Sequence, residues 1–283
     1  MSKQRNVSIY EDIARLGMSE PDIAVPHTAT YGQCAEDIIV LAALRAIGFA
    51  EGIDLSLQTY LEIGANHPVA TSATWLLYNG LGMRGVLVEA NPHLIDELQR
   101  HRPGDRILHA AAIAEDDSSA HIFISSKNEL SSTNRQFLEE WPGEPVLVTE
   151  DAIVPAMRVS QIISDYMAHQ PPIFLSIDIE GEDLKLLKDF DFSTCRPALV
   201  QVEPSDHFLE NNSRDISALM RANAYHLIGR TDVNLIFADS QRATFSNPET
   251  GITAINNSPL AEAEREIGRL RERLSELTRH LLP

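Results

Sequence analysis

The chain is poor in several things, and each shortage excludes something. It has two cysteines in 283 residues, Cys34 and Cys195, far apart and at no metal-ligand spacing. A disulfide scaffold and a cysteine-based zinc site are therefore excluded, and a reduced, cytoplasmic setting is expected. It is short of positive charge: 23 Lys and Arg stand against 41 Asp and Glu, a formal net charge of −18. Such a field repels phosphate backbones, so nucleic acid is not an expected partner. No run approaches the ~20 apolar residues that cross a bilayer, so no membrane span is expected. The opening residues, Met1-Ser-Lys-Gln-Arg-Asn-Val7, lack the apolar stretch of a secretion signal.

What is present is ordinary for a globular protein that buries one large core: 43% hydrophobic and 23% charged residues. Residues 1–30 read as a mixed arm with a short helix around Ile9–Leu16. Gln33–Ile47 reads as a helix, its apolar residues recurring at helical spacing until Gly48. An alternation of short apolar strands and helices follows. Expected strands are Thr59–Ile63, Gly85–Glu89, Arg106–Ala112, His121–Ser125, Pro172–Asp178 and Ala198–Glu203. Expected helices are Thr71–Tyr78, Pro92–His101, Ser160–His169 with Ser160 as cap, Gly181–Phe190 and Ile216–Ala222. Tyr225–Ile228 and Val233–Ala238 suit a closing hairpin. Residues 126–150 are polar and unpatterned, the mark of a loop or lid. The alternation predicts a mainly parallel sheet with helices on both faces.

The tail is of another kind. Leu260, Ala263, Ile267, Leu270, Leu274, Leu277 and Leu281 fall at alternating spacings of 3 and 4, a heptad seam over residues 258–283. Glu266 and Arg271 would attract each other across a parallel dimer. A homo-oligomer joined by this coiled coil is expected, and the seam leaves room for a coil continuing beyond Pro283.

Ligands of open α/β sheets bind at the carboxyl ends of the strands, so polar residues there are the informative ones. Leu61-Glu62-Ile63-Gly64-Ala65-Asn66-His67-Pro68 runs from a strand into a glycine turn, and Gly64 permits close approach of backbone to ligand. Glu62 can accept from a cationic amino group. Glu89 ends the next strand, 25 residues after Gly64, where an acid can accept both ribose hydroxyls of an adenosine ligand. A dinucleotide site would want G-x-G-x-x-G, but the run is Gly64-Ala-Asn-His-Pro-Val69. The missing glycines disfavour a nicotinamide oxidoreductase and leave a smaller adenosine ligand.

Ser176-Ile-Asp178-Ile-Glu180-Gly-Glu182-Asp183 and Gln201-Val-Glu203-Pro-Ser-Asp206-His207 end two further strands. Their carboxylates could hold a divalent cation such as Mg2+, through Asp178 and Glu203. Equally, Asp178 could take a proton from a substrate hydroxyl, with His207 as a second candidate base. Asp183 reads as an acid at a helix N-terminus.

These pieces together resemble the FkbM family of methyltransferases. The resemblance lies in Tyr31-Gly-Gln-Cys-Ala-Glu36-Asp37, Leu61-Glu-Ile-Gly-Ala-Asn66, Arg84-Gly-Val-Leu-Val-Glu89-Ala-Asn-Pro92, Leu130-Ser-Ser132 and Ser176-Ile-Asp-Ile-Glu-Gly-Glu182. It spans about residues 31–240, within an expected methyltransferase domain of 31–245. It implies a Rossmann-like seven-stranded sheet, S-adenosylmethionine as cofactor, and O-methylation of a sugar, glycan or natural-product hydroxyl. It assigns Glu62, Gly64 and Asn66, with Ala65 between them, to the methionine end of the cofactor. Glu89, followed by Ala90, would hold the ribose, and Ala111 and Ala112 would flank the adenine. Gln33, Asp37 and Ser132 would close the pocket, and Asp178 and Glu180 would face the methyl-transfer centre. The sequence departs from the family at His67-Pro68, where a second glycine is commoner, and at Ala90, where a proline is usual. A different class of reading is a non-catalytic scaffold whose coiled coil recruits a partner.

Overall fold

The computed structural model describes residues 30–242 apart from residue 143. The arm before residue 30 and the heptad helix at 258–283 lie outside the described residues. In chain order the elements are α1 (Glu36–Glu51), β1 (Thr59–Ile63), α2 (Trp75–Gly80), β2 (Arg84–Glu89), α3 (Ile95–His101), β3 (Arg106–His109), β4 (Ala111–Ile113), β5 (Ser119–Ser125) and α4 (Arg135–Glu139). There follow β6 (Val148–Arg158), α5 (Val159–Tyr166), β7 (Phe174–Ile177), α6 (Asp183–Asp189), β8 (Leu199–Val202), α7 (Asn212–Ala222), β9 (Tyr225–Arg230) and β10 (Leu235–Asp239).

Seven strands form one sheet in the order β3-β2-β1-β7-β8-β10-β9, and β4-β6-β5 form a smaller one. In the large sheet β3, β2, β1, β7 and β8 run parallel, while β10 is antiparallel to both β8 and β9. Alternation along each strand divides the core in two. Leu61, Ile63, Val86, Val88, Leu175 and Ile177 pack one way, against Val159 and Ile162 of α5, Leu186 of α6 and Ile216 of α7. Tyr60, Leu87, Phe174 and Leu199 pack the other way, against Val40, Leu44 and Ile47 of α1, Leu77 of α2 and Leu98 of α3. The expected two-faced, mainly parallel sheet is the one found, as is the closing hairpin.

The differences have local causes. The run expected as one strand, 106–112, is two strands in two sheets. β3 pairs with β2 as far as His109 opposite Glu89, where β2 ends, and Ala111 onward pairs with β6 instead. β6 escaped notice because Glu150, Asp151 and Pro155 interrupt its pattern; Pro155 sits at the end of its ladder with β5, where a missing donor costs least. It takes up much of the expected 126–150 loop's far end, and the rest carries α4 and a 3-10 turn at Asn128–Leu130. The helix expected from Thr71 starts at Trp75, because residues 72–74 give their donors to Glu62. Ser160 is not a cap: α5 begins one residue earlier and directly follows the last residue of β6, Arg158. α1 starts at Glu36, not Gln33, and passes Gly48 to end at Glu51, capped by Gly52, whose φ of 67° is left-handed.

Candidate active site

The carboxyl ends of β1, β2 and β7 and the start of β4 surround a partly open pocket. Its floor is the glycine turn after β1. Gly64 has φ 81°, and a Cβ there would lie 1.7 Å from the backbone oxygen of Asp178, so only glycine lets the ends of β1 and β7 approach this closely. Glu89 ends β2, buried, its Oε2 accepting from the Asn66 N–H at 2.8 Å and its Oε1 from the Asn91 N–H at 2.7 Å. Burial pushes its carboxyl up, and the backbone donors hold it back down. Each oxygen keeps a lone pair for a further donor.

At the pocket's other end the chain after β7 makes a sharp turn through Glu180 (φ 55°) and Gly181 (φ 98°). Asp183 holds this turn, accepting from the N–H groups of Ile179 at 3.0 Å and Gly181 at 3.2 Å. Ser132 donates to the Glu180 carbonyl at 2.8 Å, and Asn134 donates to Glu182 at 3.0 Å, so the loop after β5 is tied to the loop after β7. This is the work of the Leu130-Ser-Ser132 run.

Asp178, Glu180 and Glu203 bring carboxylate oxygens within 4.8 Å of one another. Burial raises all three, and the charge of Asp178 raises Glu180 and Glu203 further. Glu203 is pushed up to about 12, Glu180 also rises well above its ordinary value, and the hydrogen bond between Glu203 and Asp178 lowers the latter. Within the pair the shared hydrogen bond therefore favours the proton on Glu203 and the charge on Asp178. Asp183 is pushed to about 8 by burial and by Asp178. Such a group of oxygens can share a proton, hold a divalent cation or face a cationic ligand.

Of the residues assigned to the cofactor from sequence, the pocket is lined by Gln33, Gly64, Asn66, Glu89, Ala90, Ala111, Ala112, Ser132, Asp178 and Glu180. Three others stand behind the wall. Ala65 is buried and donates its N–H to Val88 at 3.1 Å. Asp37 accepts from Thr30 Oγ1 at 2.6 Å and the Tyr31 N–H at 2.7 Å, while Glu36 accepts from the N–H groups of Gln33 and Cys34 at 2.8 Å each. Together they fold the Tyr31–Cys34 loop so that Gln33 reaches the pocket. Glu62 accepts from the Ala73 N–H at 3.0 Å and from Thr74 Oγ1. His207 does not line the pocket; it packs edge-on against Trp141 and Phe137, ring centres 4.7 and 5.4 Å away, and partial burial lowers its basicity.

Sequence reasoning missed Arg102. It is fully buried and donates to Asp105 (2.8 Å), Tyr60 Oη (2.9 Å), Thr74 Oγ1 (2.7 Å), Ser72 Oγ (3.2 Å) and the Pro68 carbonyl (3.1 Å). Its charge acts on Glu62. His67 Nδ1 accepts from the N–H groups of Val69 and Ala70 at 3.1 and 2.8 Å, so the His67-Pro68 step forms a fixed turn under Arg102. An arginine at the end of an amphipathic helix gives no sequence signal that it points inward.

A sheet with one reversed strand, pocketed at its carboxyl edge beside an acid that ends the second strand, defines a Rossmann-like methyltransferase. The chain belongs to the FkbM methyltransferase family, whose domain matches residues 62–227, and is an S-adenosylmethionine-dependent methyltransferase. No curated protein matches it. Among solved structures it is similar to an O-methyltransferase from Bacillus cereus in complex with SAH (13% identity, TM-score 0.35), covering 81% of this chain and 87% of that one. It is also similar to a TehB-like SAM-dependent methyltransferase from Corynebacterium glutamicum (9% identity, TM-score 0.34), covering 70% and 87%.

Proposed function

We propose that this methyltransferase acts on a hydroxyl of a sugar, glycan or natural product, with Asp178 accepting the proton. The observation that carries this reading is the grouping of Asp178, Glu180 and Glu203, whose carboxylate oxygens come within 4.8 Å of one another where Asp178 and Glu180 line the cofactor pocket. S-adenosylmethionine supplies an electrophilic methyl on a positively charged sulfur. The free lone pairs of Glu89 suit the ribose hydroxyls, and Ala111 and Ala112 leave a flat apolar space for a base. Asp178, Glu180 and Glu203 form an acidic end that favours a sulfonium.

A hydroxyl is a weak nucleophile at neutral pH, so transfer needs a group that takes its proton as the new O–C bond forms and the C–S bond breaks. The bonding pair stays on sulfur, giving S-adenosylhomocysteine, and the proton passes to Asp178. The hydrogen bond with Glu203 offsets part of the burial that opposes ionisation of Asp178. No metal is required by this scheme. A divalent cation, if one were used, would be held by Asp178, Glu180 and Glu203, and activity that survives exhaustive chelation excludes that variant.

Calorimetry tests the cofactor half: the intact protein should bind S-adenosylhomocysteine, and absence of binding overturns the reading. Methyl transfer to a panel of hydroxyl acceptors tests the other half. Cofactor binding with no transfer to any acceptor would favour a scaffold over an enzyme.

A further inference from the structure

A second, much smaller chamber, with room for little more than one water-sized group, adjoins the cofactor pocket and shares Gln33, Gly64, Thr71 and Asp178 with it. It runs across the sheet face that packs on α1. Glu62, Ser176 and Gln201 stand opposite one another on β1, β7 and β8, a polar row next to the apolar row Tyr60, Phe174 and Leu199. Paired residues on adjacent strands share a face, so all three point into the same layer. Asn234 closes the far side; its backbone is fixed by bonds in both directions with Thr231 at 2.9 Å.

Two of the side chains that line this chamber each carry a buried oxygen out of balance. Gln201 is 3% exposed and Asn234 4%, yet Gln201 Oε1 and Asn234 Oδ1 accept no hydrogen bond. A buried acceptor without a donor costs about 1–3 kcal/mol, so two in one small chamber point to a missing donor. The chamber's charged lining residues, Glu36, Glu62 and Asp178, are all acidic. Glu36 and Glu62 already accept from backbone and hydroxyl donors. A cationic donor of several N–H bonds fits this lining best, and an anionic one does not fit.

We propose that Gln201 and Asn234, with Asp178, receive the ammonium group at the amino-acid end of the cofactor, and so separate ligands that carry this end from those that do not. The ammonium's three N–H bonds meet three acceptors: two amide oxygens and a carboxylate. The assignment rests on the cofactor reading above and adds residues from β8 and the β9–β10 turn, two and three strands away from the glycine turn. The competing explanation is a buried water that bridges the two amides.

The test compares S-adenosylhomocysteine with 5′-methylthioadenosine, which keeps the nucleoside and sulfur but lacks the amino-acid end. Calorimetry is run on the intact protein, Gln201→Met and Asn234→Leu. Each variant should weaken S-adenosylhomocysteine about 10-fold, the scale of one hydrogen bond to a charged group, and leave 5′-methylthioadenosine unchanged. Removing an unpartnered acceptor should not lower the melting temperature of unliganded Gln201→Met. An unchanged ratio of the two affinities in both variants overturns the proposal in favour of a bridging water. Equal weakening of both ligands with a lowered melting temperature overturns it in favour of a structural role. If the intact protein binds 5′-methylthioadenosine as tightly as S-adenosylhomocysteine, this inference fails and the cofactor reading stands. If it binds neither, both fail.

Discussion

Glu89 and Asp178 sit at opposite ends of one pocket, and their surroundings give them opposite tasks. Glu89 is surrounded by backbone donors, which keep it an acceptor. Glu89→Ala should weaken S-adenosylhomocysteine binding about 100-fold by calorimetry, the loss of two hydroxyl bonds to a charged group at about 1.5 kcal/mol each. Asp178 is buried, which raises its pKa above that of an ordinary aspartate and makes it a better proton acceptor, while its hydrogen bond with Glu203 holds it partly down. Asp178→Asn should lower the transfer rate at saturating cofactor by about 10²–10⁴-fold. In the wild type, the rate should rise with pH as Asp178 ionises, above the range of an ordinary aspartate, and the variant should lose that limb. A pH–rate profile on both proteins checks it. Glu62 shows how a residue can be placed from sequence while its partners are not: it lies beside the glycine turn, and its oxygens are engaged by residues 72–74.

At the scale of elements, the segment between β1 and α2 is held by a network that no single helix or strand contains. Arg102, at the end of α3, joins Tyr60 of β1, Asp105 before β3, and Pro68, Ser72 and Thr74 of the loop. Asp105 also accepts from the Gly85 N–H of β2 at 2.8 Å. Arg102→Met would leave Asp105 and Glu62 buried without their cation. The expected cost is about 3–5 kcal/mol, read by urea denaturation, and the cofactor affinity should fall with it because Asn66 and Thr71 border the pocket. Arg102→Lys should restore only part of the loss, since an ammonium cannot reach five acceptors in the fixed fork of a guanidinium. The alternation of apolar strands and helices made these elements legible; the start of α2, the break at Ala110 and all of β6 were not, because each is set by a partner distant in sequence.

For the molecule as a whole, the acidity is not only a surface property. Asp178, Glu180, Asp183 and Glu203 concentrate negative charge at one edge of the sheet, and the folded state answers by keeping some of them protonated. A carboxyl whose folded value lies above its unfolded one binds its proton more tightly in the folded state. Its contribution to stability is present at low pH and is lost as pH rises through the folded value. For Asp183 the window runs from its ordinary 3.8 to about 8. The melting temperature of the unliganded protein should therefore fall more steeply across that window than that of Asp183→Asn. Parallel curves would refute the shift. Among the described residues no helix is long and apolar enough to cross a membrane.

The sequence by itself determined the layered α/β fold, the glycine turn at Gly64, the acid at Glu89 and the acidic run from Asp178, because each depends on local pattern: period, turn chemistry and the end of a strand. Tertiary structure alone decided which side chains face the pocket and which hold its wall from behind. It put Glu62 and Asp37 on backbone donors, moved His207 to an aromatic cluster, raised Arg102 to the centre of a network and left Gln201 and Asn234 without donors. Those outcomes depend on burial and on neighbours tens of residues away, which no local pattern carries.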